Sequence, residues 1–423
     1  MTAVSQPGQS GRLGRFIVAS GLTNLADGIA TVVWAWMASL LTRDPVLIAL
    51  MPVALRLPWF LCALPAGVVT DRVDRRALIL GMDLVRAVAF GAAAVIVWAA
   101  LPFAPPAEQG TAMPGLFGGL MGCALLVGTA EVFRDNAAQT MLPSVVPHAE
   151  LERANGRLWS VELVGNALLG PAVGAFLIAW VVWVPFALNA GVFVLAAVLV
   201  WGLRGSFSPE RGPERNWRRE LGEGLAFLRG APLLRLLAGI TGVWNLLHQM
   251  VVIALVLHVQ ENLGLGAQGY GLILAAGAVG GIAGGFVAER VVRAMGAGPA
   301  AQWMTLASAV AFAAIPLAPG GIALALVLAA FEFTGLVWNT VSVSYRQRAI
   351  PGALLGRVNS IYRLLAWGMM PVGLLVSGLI VNGAEAVMPR GPALSMPFVV
   401  AAGGAGLLTL LAWRPLGRGF RAV

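Results

Sequence analysis

Lysine is absent from this chain, and all 28 of its basic residues are arginine. Charged residues of both signs make up only 11% of the sequence, against roughly 25% in an ordinary soluble domain, which excludes a water-soluble globular protein. Histidine occurs three times, as His148, His248 and His258, with no metal-ligand spacing among them, and the two cysteines, Cys62 and Cys123, lie far apart inside apolar runs. That rules out a disulfide framework or a zinc site and leaves the thiols as small buried hydrophobes. No G-x-x-x-x-G-K-[S/T] loop is present, so direct ATP coupling has no motif to rest on, and no catalytic constellation suggests an enzyme or a bound cofactor. No polar segment is large enough for the soluble signalling domain that a membrane sensor usually carries.

What the chain has in quantity is apolar length: 59% of the 423 residues are hydrophobic, and the mean hydropathy is +0.83. A bilayer core needs about 20 mainly apolar residues per helical crossing, and runs of that length recur from one end to the other. Backbone groups in lipid must bond within their own segment, and runs this continuous exclude barrel strands. The expected fold is all-α, with twelve transmembrane helices in two six-helix bundles. The first run carries Asp27 and opens a series of further spans, so it reads as a retained helix rather than a signal peptide. The arginines cluster between alternate runs and form no stripe with interleaved aromatics, which argues for topology rather than nucleic acid. Their asymmetry places the N- and C-termini in the cytoplasm of a multi-pass inner-membrane protein.

Two internal repeats set the organisation. Gly67, Asp71, Arg72, Arg75 and Arg76 follow the second run in the order G-x-x-x-D-R-x-x-R-R, and Gly285, Glu289, Arg290 and Arg293 follow the eighth in the same order. Pro147 is followed by Arg153 and Asn155, and Pro351 identically by Arg357 and Asn359. Both offsets are close to half the chain, so residues 1–203 and 233–423 read as duplicated bundles in parallel order, the plan of a rocking secondary transporter. Residues 204–232 are the linker, where Trp217, Leu221, Leu225 and Leu228 predict an interfacial helix on the membrane surface.

At these residues the sequence resembles the major facilitator superfamily, whose signature between its second and third helices is similar to Gly67–Arg76. Asn24, Asp27, Gly28, Arg56, Pro58, Trp59, Pro143, Arg153, Asn155, Arg357, Tyr362, Arg363 and Trp367 resemble a bacterial branch of siderophore exporters and macrolide or multidrug efflux pumps. Gly170, Pro171 and Gly174 are similar to the antiporter signature of the fifth helix, with Asn166 and Ala175 standing where that signature has glycine. The resemblance implies a transporter, and export over import.

Several residues are candidates for the mechanism. Asp27 lies twelve residues into the first span, ~18 Å deep at 1.5 Å per residue, and Arg56 reaches a similar depth on the antiparallel second. They are expected to pair, either as part of the mechanism or as a structural bridge, because an isolated intramembrane charge is costly. Glu332 sits at mid-depth of the tenth span with no basic residue at i±3 or i±4, which suits a proton carrier or a carboxyl bonded between helices. Asn245, His248 and Gln249 fall on one face of the seventh span as a polar patch for a substrate cavity, joined as candidates by Asn166 and Asn339. His248 is also a proton candidate, or a histidine that glues two helices. At the inner face Asp71 would be favoured by the dipole of the eleventh helix, while Arg72 and Arg75 can reach Glu131 and Asp135 at the end of the fourth span, 114–135. These residues, with the repeat at Glu289, Arg290 and Arg293, are expected to form a conformational latch. The whole predicts a monomeric, proton-coupled exporter of a small molecule, whose only other partner is the bilayer. A nutrient importer is the alternative.

Overall fold

The structure is a computed structural model and describes residues 7–70, 72–146, 151–203, 205, 207–208 and 217–421. Asp71 and Pro147 lie outside the described residues. The helices, in chain order, are α1 (Pro7–Leu41), α2 (Pro45–Thr70), α3 (Arg75–Ala99), α4 (Pro114–Val145), α5 (Leu151–Glu162), α6 (Gly170–Trp180), α7 (Val184–Trp201), α8 (Trp217–Gly230), α9 (Pro232–Leu257), α10 (Ala267–Met295), α11 (Ala297–Ala314), α12 (Gly321–Ala349), α13 (Gly352–Trp367), α14 (Met369–Glu385) and α15 (Arg390–Arg421). Among the described residues twelve helical segments are long and apolar enough to cross a membrane, with α5 and α6 forming one segment and α13 and α14 another. The protein is an all-α membrane protein of twelve transmembrane helices.

The chain divides into two compact units. The first holds Met1–Arg43 and Leu50–Arg211, and the second holds Asp44–Ala49 and Gly212–Val423.

Helix starts follow local chemistry. Proline opens α2, α4 and α9, where its missing N–H would be unbonded in any case. Asp74, one of the acids in the first repeat, caps α3: its Oδ1 accepts from Ala77 N at 2.9 Å, and Oδ2 accepts from the Ser208 hydroxyl at 3.3 Å.

In the first unit, α5 passes into α6 through a π-helical stretch, Leu163–Leu169. This widened turn lies where α1 comes closest: a Cβ on Gly170 would fall 2.5 Å from Gly28 Cα, and one on Gly174 would fall 2.8 Å from the Ile29 carbonyl oxygen. Gly170 and Gly174 thus serve backbone contact, as small residues commonly do between membrane helices. In the second unit α10 and α12 meet the same way, with Gly280 against the Ala329 carbonyl and Gly284 against Phe333.

The linker helix α8 packs on protein, on a face shifted from the expected one. Gly224 lies against Arg357 and Ile361 of α13. Leu228 is buried with Leu234, Ile350, Val358 and Ile361, and Phe227 packs alongside. Leu225 is exposed instead, and the side chains of Trp217 and Leu221 lie outside the described residues. Glu223, on the face expected to meet water, accepts a hydrogen bond from Arg357.

Candidate functional site

Each unit encloses ionisable side chains at depth. In the first, the expected pair is replaced by a different one. Asp27 of α1 is bonded to Arg86 of α3, while Arg56 of α2 lies 3.8 Å from Glu131 of α4. Equal depth placed Asp27 and Arg56 together, but depth says nothing about the direction in which a helix presents a side chain. Arg86 is eleven residues inside α3 and fully buried. Its guanidinium carbon stands 4.0 Å from the Phe193 ring centroid of α7, a cation–π contact in a desolvated setting.

One turn earlier on α3, Asp83 is fully buried, with Oδ1 3.4 Å from Arg134 Nε of α4. Arg134 Nη1 donates to Asp135 at 3.3 Å. The charges of α1, α2, α3 and α4 therefore fall into three groups: Arg56 with Glu131, Asp27 with Arg86, and Asp83 and Asp135 with Arg134. Asp83 and Arg134 escaped the sequence reading, although an Asp-x-x-Arg inside an apolar run (Asp83, Arg86) carries the signal.

Two of the residues assigned to the latch lie elsewhere along α4 than expected. The polar run Glu131–Asn136 looked like the end of the fourth span, but α4 continues to Val145. Glu131 and Asp135 lie ten or more residues before its end, inside the span and paired with Arg56 and Arg134. Among the described latch residues, Arg72 is exposed, Arg76 donates to the Trp201 carbonyl, and the Arg75 backbone N–H donates to Phe207 O at 3.3 Å. Gly67 has open space where a Cβ would stand. In the second repeat Glu289 accepts from Arg293 at 2.7 Å, an exposed i,i+4 pair, and Arg290 is exposed.

In the second unit, two candidates read separately from the sequence meet. His248 Nε2 of α9 lies 3.0 Å from Glu332 Oε1 of α12. The missing local partner of Glu332 is supplied from another helix. The imidazole is held by stacking: its centroid is 4.9 Å from that of Trp244 and 5.5 Å from that of Phe331, with interplanar angles of 15° and 17°. Behind the carboxylate stand two glycines of α10, and a Cβ on Gly277 would sit 3.3 Å from Glu332 Cγ. Both side chains keep some exposure, 20% for His248 and 27% for Glu332. An imidazole and a carboxyl group joined by one hydrogen bond have the geometry of an acid–base pair.

The rest of the expected cavity face divides. Asn245 is buried and donates to the Ala366 carbonyl at 2.9 Å, so it joins α9 to α13 and does not face a cavity. Gln249 and Asn166 are half-buried and Asn339 is exposed. Deeper in the unit the Tyr362 hydroxyl is 2.8 Å from both Thr241 and Ser342, a polar tie linking α9, α12 and α13.

Twelve membrane helices in two units, each with ionisable groups held within its spans, fit the build of a membrane transporter. The comparisons give the family. The Major Facilitator Superfamily model matches residues 16–374, and the chain belongs to that superfamily. It is 26% identical over 378 residues to the multidrug efflux pump Tap of Mycolicibacterium fortuitum, covering 85% of this chain and 86% of that pump. Among solved structures it is similar to a bacterial homologue of the iron transporter ferroportin in an inward-facing state, with a TM-score of 0.71 at 15% identity over 96% of this chain and 98% of that one. It is also similar to the nucleoside transporter NupG, with a TM-score of 0.69 at 13% identity over 96% and 98%.

Proposed function

We propose that the protein is a proton-driven exporter of a small lipophilic or siderophore-like molecule in the bacterial inner membrane, working as a monomer by alternating access with both termini in the cytoplasm. The observation that carries the reading is the His248–Glu332 pair. Imidazole titrates near neutrality, and the hydrogen bond lets one proton be shared between ring and carboxylate. Loss or gain of that proton changes the charge at a site in α9 and α12, and a charge inside the membrane is costly enough to bias which conformation is occupied. The export direction is supported by similarity to the Tap efflux pump and by the glycine and proline pattern at Gly170, Pro171 and Gly174. The arginine distribution supports the orientation. The test is a susceptibility and accumulation panel in an efflux-deficient host expressing wild type or Glu332→Gln. Export predicts lower accumulation and higher resistance for at least one compound with wild type only. Raised accumulation with wild type would make the protein an importer.

A further inference from the structure

We propose that Asp83 is a proton-binding site of the first unit, sharing Arg134 with Asp135 and separate from the His248–Glu332 pair. It rests on the proton-driven reading for its role in transport, but not for the binding itself.

The three groups of α1, α2, α3 and α4 hold, among the described residues, three guanidinium groups, those of Arg56, Arg86 and Arg134, and four carboxyl groups, those of Asp27, Glu131, Asp83 and Asp135. Within protein and lipid, a carboxylate without its own counter-charge is strongly unfavourable. One more positive charge is needed, and a proton supplies it most simply.

Geometry then selects the carboxyl. Asp27 is bonded directly to Arg86. Glu131 faces Arg56 at 3.8 Å. By direct ion pairing, Asp83 and Asp135 share the one guanidinium of Arg134. Arg134 stands 3.3 Å from Asp135 through Nη1 and 3.4 Å from Asp83 through Nε, both beyond the ~2.7–2.9 Å of a tight charged N–H to carboxylate bond, so burial decides between the two. Asp83 is fully buried, whereas the Asp135 side chain is 32% exposed. The fully buried carboxyl therefore holds the proton, and the more exposed one carries the negative charge.

The remaining charged groups around Asp83 are consistent with this. Arg86 stands one turn along α3 and is committed to Asp27 of α1, and α7 brings the Phe193 ring rather than a counter-charge. Release breaks the Asp83 O–H bond. The proton passes to the Asp135 carboxylate and from there to water, and Arg134 then swings its charge from Asp135 towards the new Asp83 anion. Uptake is the reverse.

The test is infrared difference spectroscopy on the full-length protein in detergent, stepped between acid and alkaline buffer in light and heavy water. Wild type is expected to show a protonated-carboxyl C=O band that shifts on deuteration. Asp83→Asn should abolish that band, and Glu332→Gln should leave it. Asp135→Asn gives Arg134 to Asp83 alone, so at a given pH the band should fall by at least half. It also decides the matter if Asp83→Asn fails to fold. A band that survives Asp83→Asn, or is unchanged in Asp135→Asn, overturns the proposal. Failure of the proton-driven reading has a different signature: transport that persists without a proton gradient while the Asp83 band remains.

Discussion

Asp27 and Arg86 provide a quantitative test of the buried charge groups. Arg86 is fully buried and Asp27 is 16% exposed, so Asp27→Asn strands a guanidinium that water cannot reach. Breaking a buried pair from one side costs about 3 to 5 kcal/mol. At 1.4 kcal/mol per factor of ten, the folded fraction relative to unfolded should drop by roughly two to three and a half powers of ten. The residual access of Asp27 to water puts Arg86→Gln at the lower end of that range. The double variant removes both charges, and its loss should be smaller than the sum of the single losses by about 1 to 3 kcal/mol. Equilibrium unfolding in mixed micelles, followed by intrinsic tryptophan fluorescence, measures all four corners. A second cycle with Asp27→Asn and Arg56→Gln is the control and should be additive to within about 0.5 kcal/mol, because Arg56 faces Glu131 instead. Additivity in the first cycle together with coupling in the second would refute the assignment of partners.

Three further outcomes follow from the packing and the second unit. His248→Phe keeps a ring between Trp244 and Phe331 but removes the titratable nitrogen, so abundance should stay near wild type while gradient-driven transport falls about a hundredfold or more, within the range for loss of a positioned acid–base group; normal transport in vesicles would count against the pair. Gly280→Val places a Cβ 1.9 Å from the Ala329 carbonyl oxygen and should destabilise by at least about 1 to 3 kcal/mol, whereas Gly285→Ala, which meets open space, should stay within about 0.5 kcal/mol; the same unfolding assay compares them. Asn245→Ala removes the bond to Ala366 O and should cost about 1 kcal/mol while leaving transport near wild type, and a large transport defect at normal stability would return Asn245 to the substrate path.

The helices were legible because apolar length and arginine placement are one-dimensional properties of the chain. The partners of buried charges were not. Depth along a helix can be counted from sequence, but azimuth and helix neighbours are tertiary, so Asp27 was matched to Arg56 when Arg86 holds it. The same limitation hid the partner of Glu332, since His248 is 84 residues away in sequence. A different cause misplaced the end of α4. Glu131, Arg134 and Asp135 read as a polar boundary because lone charges do not belong in lipid, yet together with Asp83 and Arg56 they compensate one another inside it. Asp74 illustrates the reverse: an acid within a repeated charge motif serves α3 as an ordinary helix cap.

The account stands or falls on whether the His248–Glu332 pair couples transport to protons. The direct measurement is made in everted membrane vesicles energised to hold an acid interior, with a compound taken from the resistance panel and the interior pH followed by a fluorescent amine. Wild type should discharge the pH gradient when the compound is added, Glu332→Gln should not, and collapse of both the pH gradient and the membrane potential should stop uphill uptake. Uphill uptake that continues after that collapse with ATP supplied, or an unimpaired discharge by Glu332→Gln, would contradict it.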